Sequence, residues 1–511
     1  MLCLAILLLA VSQAVKQEWG INLDIWEHAA AARQLGADPL HPGHPIFNVD
    51  EPHQFYSPYT LALGLIARIS GLSIVTVLAA AGLANLLLFT AALWLFVDRL
   101  LKRRQAATYA LLFVLFLWGA NAWTFSGFFH FRILPFVLPY PATFAAALVL
   151  LTLWIHLRFL ASGNPRYLIP ELLLTTVVLL THPVDIVVLA TGMVGLTASA
   201  SGGQLTRRML LMLATLALAT LLAMLWPYFS LVDLLLGSDN QLYREQVNAD
   251  DRNMYVAVLG RIWPMLVVLP VMCKRLLKRP CDGLVLWLVG LLLAYGFGWI
   301  SGIWSLGRLI SAAMLVGAIV LADERVKATE FLVTASPVRR CARRGVQVGT
   351  VALLAVGAFY ARNGFAVLPD PVLAWIPENW VGDEVVLVDL SDYEFLTATV
   401  GDGAVVMADG FTPLAVAAYG GKVVSVPRPE AFVDTVDRAV DSARFFDVAT
   451  PKPVRQEILA RYGVSFILLA NDDLARSPDT YAPVLELGTV AYRNGRFTVV
   501  RPAPISPPSA P

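Results

Sequence analysis

Within the first sixty residues of this 511-residue chain, acids, histidines and aromatics crowd together. They run Asn22-Leu23-Asp24-Ile25-Trp26-Glu27-His28, then Asp38-Pro39-Leu40-His41-Pro42-Gly43-His44-Pro45, then Asp50-Glu51-Pro52-His53 and Tyr56-Ser57-Pro58-Tyr59. A mere connector has no need of them. Asp24 opens an amphipathic stretch over 25–35, and its spacing allows two compatible roles. It can cap a helix, with Glu27 three residues on as its capping-box partner. It can also serve as a general base at a membrane interface, taking the proton of an acceptor hydroxyl and orienting it for in-line attack on a lipid-borne donor. Asp50-Glu51 is a second acidic pair that could position the acceptor, bind a divalent cation, or form a solvated turn before Pro52. His41, His44 and His53 could join these acids around a metal. His-Pro-Gly-His-Pro is not a zinc spacing, however, and no metal site is assigned.

A second set of candidates lies in apolar surroundings. Arg308, in Ile303-Trp304-Ser305-Leu306-Gly307-Arg308-Leu309, falls inside a hydrophobic span. An arginine there points to function, and a phosphate partner would justify it; the alternative is snorkelling to headgroups. Arg132, in Phe129-His130-Phe131-Arg132, and Arg261 are weaker cases of the same kind. His182, in Thr181-His182-Pro183-Val184-Asp185, could donate a hydrogen bond to donor or acceptor, or cap a helix turn. In 230–253, Tyr243, Arg244, Glu245, Asp250, Asp251 and Arg252 form either an acceptor-side lid or a solvated loop.

The elements that must position these residues are set by composition. The chain is 58% hydrophobic and 15% charged, against about 25% charged in an ordinary soluble domain. Apolar stretches recur at 1–15, 73–97, 106–126, 137–157, 168–181, 184–200, 208–229, 254–272, 284–300, 304–322 and 346–366. Most are long enough for about 30 Å of hydrocarbon. The reading is a polytopic α-helical membrane protein of about eleven spans, which excludes a cytosolic enzyme and a secreted disulfide scaffold. A net charge of +1 gives no support for nucleic-acid binding. Cys3, Cys273, Cys281 and Cys341 show no metal or redox spacing.

With the N-terminus in the cytoplasm, 18 basic residues fall in cytoplasmic loops (99–104, 158–166, 207–208, 274–279, 325–344) and 6 in the opposite loops. This bias requires a break at His182-Pro183. The first stretch, 1–15, reads as a weak span or a cleaved signal peptide. The expected organisation is a transmembrane domain over 1–368, with a first extracytoplasmic loop at 16–72, and an extracytoplasmic soluble α/β domain over 369–511. In the latter, strands are predicted at 404–409, 422–427 and 464–470, with helices at 411–419, 430–446 and 452–462. A hairpin joins 487–492 to 497–501, with Asn494-Gly495 predicting a type I′ turn. The Pro-rich end reads as disordered.

This arrangement resembles the GT-C superfamily of membrane glycosyltransferases. The resemblance rests on the loop from Asp24-Ile25-Trp26-Glu27-His28 to Tyr56-Ser57-Pro58-Tyr59, the roughly eleven spans, and the C-terminal Arg461-Tyr462-Gly463-Val464-Ser465-Phe466-Ile467-Leu468-Leu469 with Tyr492-Arg493-Asn494-Gly495. It implies transfer of a hexosyl or pentosyl group from a polyprenyl-phosphate-sugar donor to a glycan, lipid or protein acceptor outside the cytoplasm, usually with inversion. It places the catalytic base at Asp24 and the carrier phosphate at Arg308; the residues themselves leave Glu27, His28, Asp50, Glu51, His182 and Arg132 as further substrate-binding candidates. Some members of the superfamily use a divalent cation and others do not. The expected location is the plasma membrane of a bacterium. Two rival readings are a transporter or flippase of lipid-linked glycans and a non-catalytic envelope assembly protein. The first predicts activity without Asp24; the second predicts that deleting 370–511 abolishes function even with the membrane core folded.

Overall fold

The computed structural model describes residues 18–20, 24–200, 202–332, 337–367, 387–410 and 412–504. The expectations for 1–15, Cys3, the 369–386 segment and the Pro-rich end lie outside these residues. The chain divides into two compact units. One comprises Met1–Lys16, Ala79–Trp226 and Val247–Val386; the other comprises Gln17–Leu78, Pro227–Gln246 and Leu387–Pro511. The second is thus built from the first loop, a middle insertion and the C-terminal region.

The first unit is helical. Five described helices are long and apolar enough to cross a membrane: Ile74–Leu101, Pro141–Ser162, Leu205–Ala223, Gly283–Ser301 and the run Trp304–Phe331. A sixth candidate, Ser238–Tyr255 with Val258–Lys278, bends by 70° at a break where Ala257 takes a positive φ of 54°. The protein is a multi-pass membrane protein by this architecture. The expected break at 182–183 is present. Leu168–Thr181 and Asp185–Ala200 are separate helices, and both pack on Pro141–Ser162. Proline supplies no backbone donor to continue the first helix. His156 ties these helices internally, with Nδ1 3.1 Å from Glu171 Oε2 and Nε2 2.8 Å from Thr197 Oγ1. All three side chains are buried, which satisfies polar groups that would otherwise be stranded in hydrocarbon.

The expected span at 106–126 is only half formed. The helix Arg104–Phe116 stops there, and 117–133 is largely irregular and packed with Trp118, Trp123, Phe128 and His130. Asn121 and Gly127 sit at positive φ, which helical backbone does not tolerate. The last expected span, 346–366, is the end of a longer helix, Pro337–Tyr360, whose first two turns carry Arg339, Arg340, Arg343 and Arg344.

The second unit is mixed α/β. Its five-stranded sheet runs Lys422–Val423, Val405–Ala408, Val464–Ala470, Phe497–Pro502, Gly488–Arg493. The first three strands are parallel and the last two antiparallel. The helix Thr412–Ala418 provides the crossover between the first pair, as parallel strands require. Met407, Phe445, Ile467, Val484 and Val500 fill the core. The predicted hairpin forms, but its type I′ turn does not, since neither Asn494 nor Gly495 has positive φ. Instead Asn494 Oδ1 accepts from the backbone N–H of Arg496 (2.9 Å) and Phe497 (2.7 Å), an Asx turn.

The first loop is built into this unit. The helix Asp24–Ala37 packs on Thr412–Ala418 and on Pro58–Ser70. It crosses the latter where Gly36 and Gly64 face each other, and a Cβ on Gly64 would collide with the Ala32 carbonyl. Pro58–Ser70 begins with a full capping box, Ser57 with Thr60, and Pro58 at its first position. A short antiparallel pair joins Glu18–Gly20 to Leu387–Asp389.

Candidate functional site

Asp24 is the first residue of the helix Asp24–Ala37, so the first turn carries both Asp24 and Glu27. Carboxylates there are favoured by the helix dipole, and three-residue spacing puts both on one face. The side chains differ in access: Asp24 is 31% exposed and Glu27 fully buried. Something must orient this pair and balance its charge. A guanidinium from the far end of the sequence does so. Arg428 Nη1 donates to Asp24 Oδ1 at 2.6 Å, Nη2 donates to Glu27 Oε2, and Nε lies 3.6 Å from Glu430 Oε1. Three carboxylates therefore share one arginine.

This balance shifts the ionisation of the groups. Burial works against the charge of Arg428, but the fields of Glu27, Asp24 and Glu430 outweigh it and hold the guanidinium well above its ordinary range. Burial pushes the Glu27 carboxyl well up, with Arg428 pulling it back and the two neighbouring acids adding to the rise. Glu430 is also tied by Gln54 Nε2, which donates to Oε2 at 2.6 Å, and by His53 Nε2 at 3.4 Å. Tyr243 lies within electrostatic reach of all four charged groups.

The remaining first-loop candidates divide. His28 is buried and its ring lies 4.3 Å from that of Phe55. Asp50 and Glu51 are exposed, on the solvated turn. His44 Nδ1 accepts from the backbone N–H of Ile46 and Phe47, and His53 Nδ1 accepts from Phe55 N. Burial lowers both imidazoles, His44 well below the usual range. These neutral rings hold turns with the lone pair a metal would need. Among the described residues no three His, Cys, Asp or Glu side chains are grouped to hold a metal ion. Lys422 also serves this loop, donating to Gln34 Oε1 (2.9 Å) and the His44 carbonyl (2.6 Å). Burial lowers it to about 8.

The membrane unit holds the second cluster. Arg308 ends the turn Trp304–Arg308 and directly precedes the helix Leu309–Phe331. Its Nε and Nη2 reach both oxygens of the buried Asp251 at 2.9–3.1 Å. His182 Nδ1 lies 3.1 Å from Asp185 Oδ2. Arg308, His182, Asp185, Ser126, Phe129 and Ser311 line one cleft. An arginine at a helix N-terminus beside a histidine can receive an anion. Arg132 lies in the irregular segment, half-buried and outside the lining of that cleft.

The structure gathers Asp24 and Glu27 in one cluster and Arg308 and His182 in one cleft; sequence reasoning did not point to Arg428 and Glu430. The available signal was slight: a charged pair between prolines, Pro427-Arg428-Pro429-Glu430, just after a strand.

Neither a family model nor a curated protein matches the sequence. Solved structures do match in fold. The crystal structure of ArnT from Cupriavidus metallidurans bound to undecaprenyl phosphate aligns with a TM-score of 0.55 at 13% identity, covering 98% of this chain and 96% of that one. The apo oligosaccharyltransferase of Archaeoglobus fulgidus aligns with a TM-score of 0.51 at 12% identity, covering 94% and 71%. At these identities the likeness is one of fold alone.

Proposed function

We propose that this protein is an integral membrane glycosyltransferase that moves a sugar from a polyprenyl-phosphate-linked donor to an extracytoplasmic acceptor, with inversion. The observation that carries this reading is end-to-end likeness in fold to a protein bound to undecaprenyl phosphate. It is joined by a carboxylate, Asp24, that is ion-paired, oriented and yet 31% exposed.

In the reaction, the Asp24 carboxylate takes the proton of the acceptor hydroxyl. The hydroxyl oxygen forms a bond to the anomeric carbon, and the bond from that carbon to the phosphate oxygen breaks. The lipid phosphate leaves with the bonding pair, and Arg308 receives its negative charge. Asp251 fixes the Arg308 guanidinium through two nitrogens, so that little reorganisation is needed when charge develops. His182, held near Asp185, supplies a hydrogen bond to the phosphate. The acceptor would be a glycan, lipid or protein. The N-terminus would lie in the cytoplasm and the mixed unit outside it.

The test is gentle purification followed by mass spectrometry of retained lipids, comparing wild type with Arg308→Ala. A polyprenyl phosphate, with or without sugar, present in the former and lost in the latter supports both donor class and phosphate site. Retention of bulk phospholipids alone in wild type would direct attention to transport instead.

A further inference from the structure

A divalent cation is held by carboxylate and carbonyl oxygens that converge on one point at about 2.0–2.6 Å. Around Asp24, Glu27 and Glu430 that point is already taken by a side chain. Arg428 presents Nη1 to Asp24, Nη2 to Glu27 and Nε to Glu430. Each nitrogen of the planar fork faces a different carboxylate, a match that the single ammonium of a lysine would not give. Glu27 and Glu430 are fully buried, and Arg428 is 26% exposed. Two buried carboxylates and a third beside them are tenable only with a cation among them. The second anchor of Glu430, the amide of Gln54, holds it toward the arginine. His44 and His53 have their Nδ1 lone pairs directed to backbone N–H groups. The donor set of this cluster therefore does not fit a metal ion as it stands.

We propose that the Arg428 guanidinium takes the place of a divalent cation: it offsets part of the charge of the three carboxylates and orients Asp24, and transfer by this protein needs no metal. The inference rests on Asp24 being the base. Arg428 is then a positioning residue, acting on the acceptor through Asp24. Nη1 fixes the Oδ1 side of Asp24, which sets the orientation of the carboxylate. The C-terminal region accordingly contributes to transfer itself, beyond any role in acceptor choice.

The experiment uses the full chain in detergent or nanodiscs. Wild type is stripped with EDTA and assayed for transfer, and Mn2+ is titrated into it with detection by electron paramagnetic resonance. Transfer is expected to be unchanged by EDTA, and no saturable Mn2+ signal dependent on Asp24 is expected. Arg428→Ala is expected to lose transfer by about 10- to 100-fold, as for loss of an orienting partner. Guanidinium chloride at millimolar concentration should restore part of that activity, whereas Mg2+ and Mn2+ should not. Loss of wild-type transfer on EDTA treatment with recovery on Mn2+ would overturn the proposal. So would a Mn2+ site abolished by Asp24→Asn. The wild-type measurements need no variant to fold. If wild type transfers no sugar from any lipid donor yet binds no Mn2+ at Asp24, the glycosyltransferase reading fails while the assignment of Arg428 stands.

Discussion

Each unit of the molecule sets one arginine against carboxylates, but in different proportion. In the mixed unit Arg428 meets three acids, so the cluster carries surplus negative charge and its most accessible member is Asp24. In the membrane unit Arg308 meets the one buried carboxylate of Asp251, with His182 nearby in the same cleft. A surplus of carboxylate suits proton abstraction. An arginine held in place by a single carboxylate suits anion capture. The same residue type thus sits in two different charge environments according to how many acids surround it.

The largest effect expected is at Asp24. Asp24→Asn keeps the shape but not the basicity, and should lower transfer by about 10²- to 10⁴-fold while leaving donor retention nearly intact. A fully active Asn variant, read in a radiolabelled transfer assay, would remove Asp24 from the mechanism and favour a transporter. The complementary change, Arg308→Ala, should abolish retention of polyprenyl phosphate and leave the mixed unit folded. Together the two variants sharpen the contrast: one should spare binding, the other should spare the acid cluster.

A third prediction concerns the scaffold beneath the acids. Gly64→Leu forces the Pro58–Ser70 helix away from Asp24–Ala37 and should destabilise the mixed unit by about 1–3 kcal/mol, the usual range for overpacking. Thermal unfolding followed in the full chain would report it, and an unchanged midpoint would mean the crossing is looser than its geometry. The smallest effect is at Lys422, which burial lowers from 10.5 to about 8. The unfolded chain then binds more protons than the folded one between these values, so stability should rise as pH climbs from about 8 toward 10.5. Lys422→Met should flatten that rise, measured as the apparent midpoint against pH.

Much of this was legible from local patterns. The helix at 452–462, the strand at 464–470 and the break at 182–183 follow from spacing and from proline, and the structure has them. The acid pair in the first helix turn was visible because both members lie within four residues. Arg428 was not visible, because it sits 404 positions from Asp24 and no periodicity links them. The same holds for Asp251 against Arg308, 57 positions apart. Aromatic density at 117–133 imitated a membrane span, since hydropathy does not register the positive φ that Asn121 and Gly127 adopt.

The short pairing of Glu18–Gly20 with Leu387–Asp389 has a consequence for biosynthesis. Its two strands emerge from the ribosome far apart in time. At about 5–20 residues per second, the 369 positions that separate Arg33 from its partner Asp402 take on the order of 20–70 s to make. Throughout that interval the first loop exists without the strand, helix and arginine that complete it. Its two acids are then uncompensated and its alanine-lined helix face is uncovered. A nascent chain in this condition is a natural client for a holding chaperone, and premature termination anywhere before Arg428 would leave a product whose acid cluster never receives its arginine.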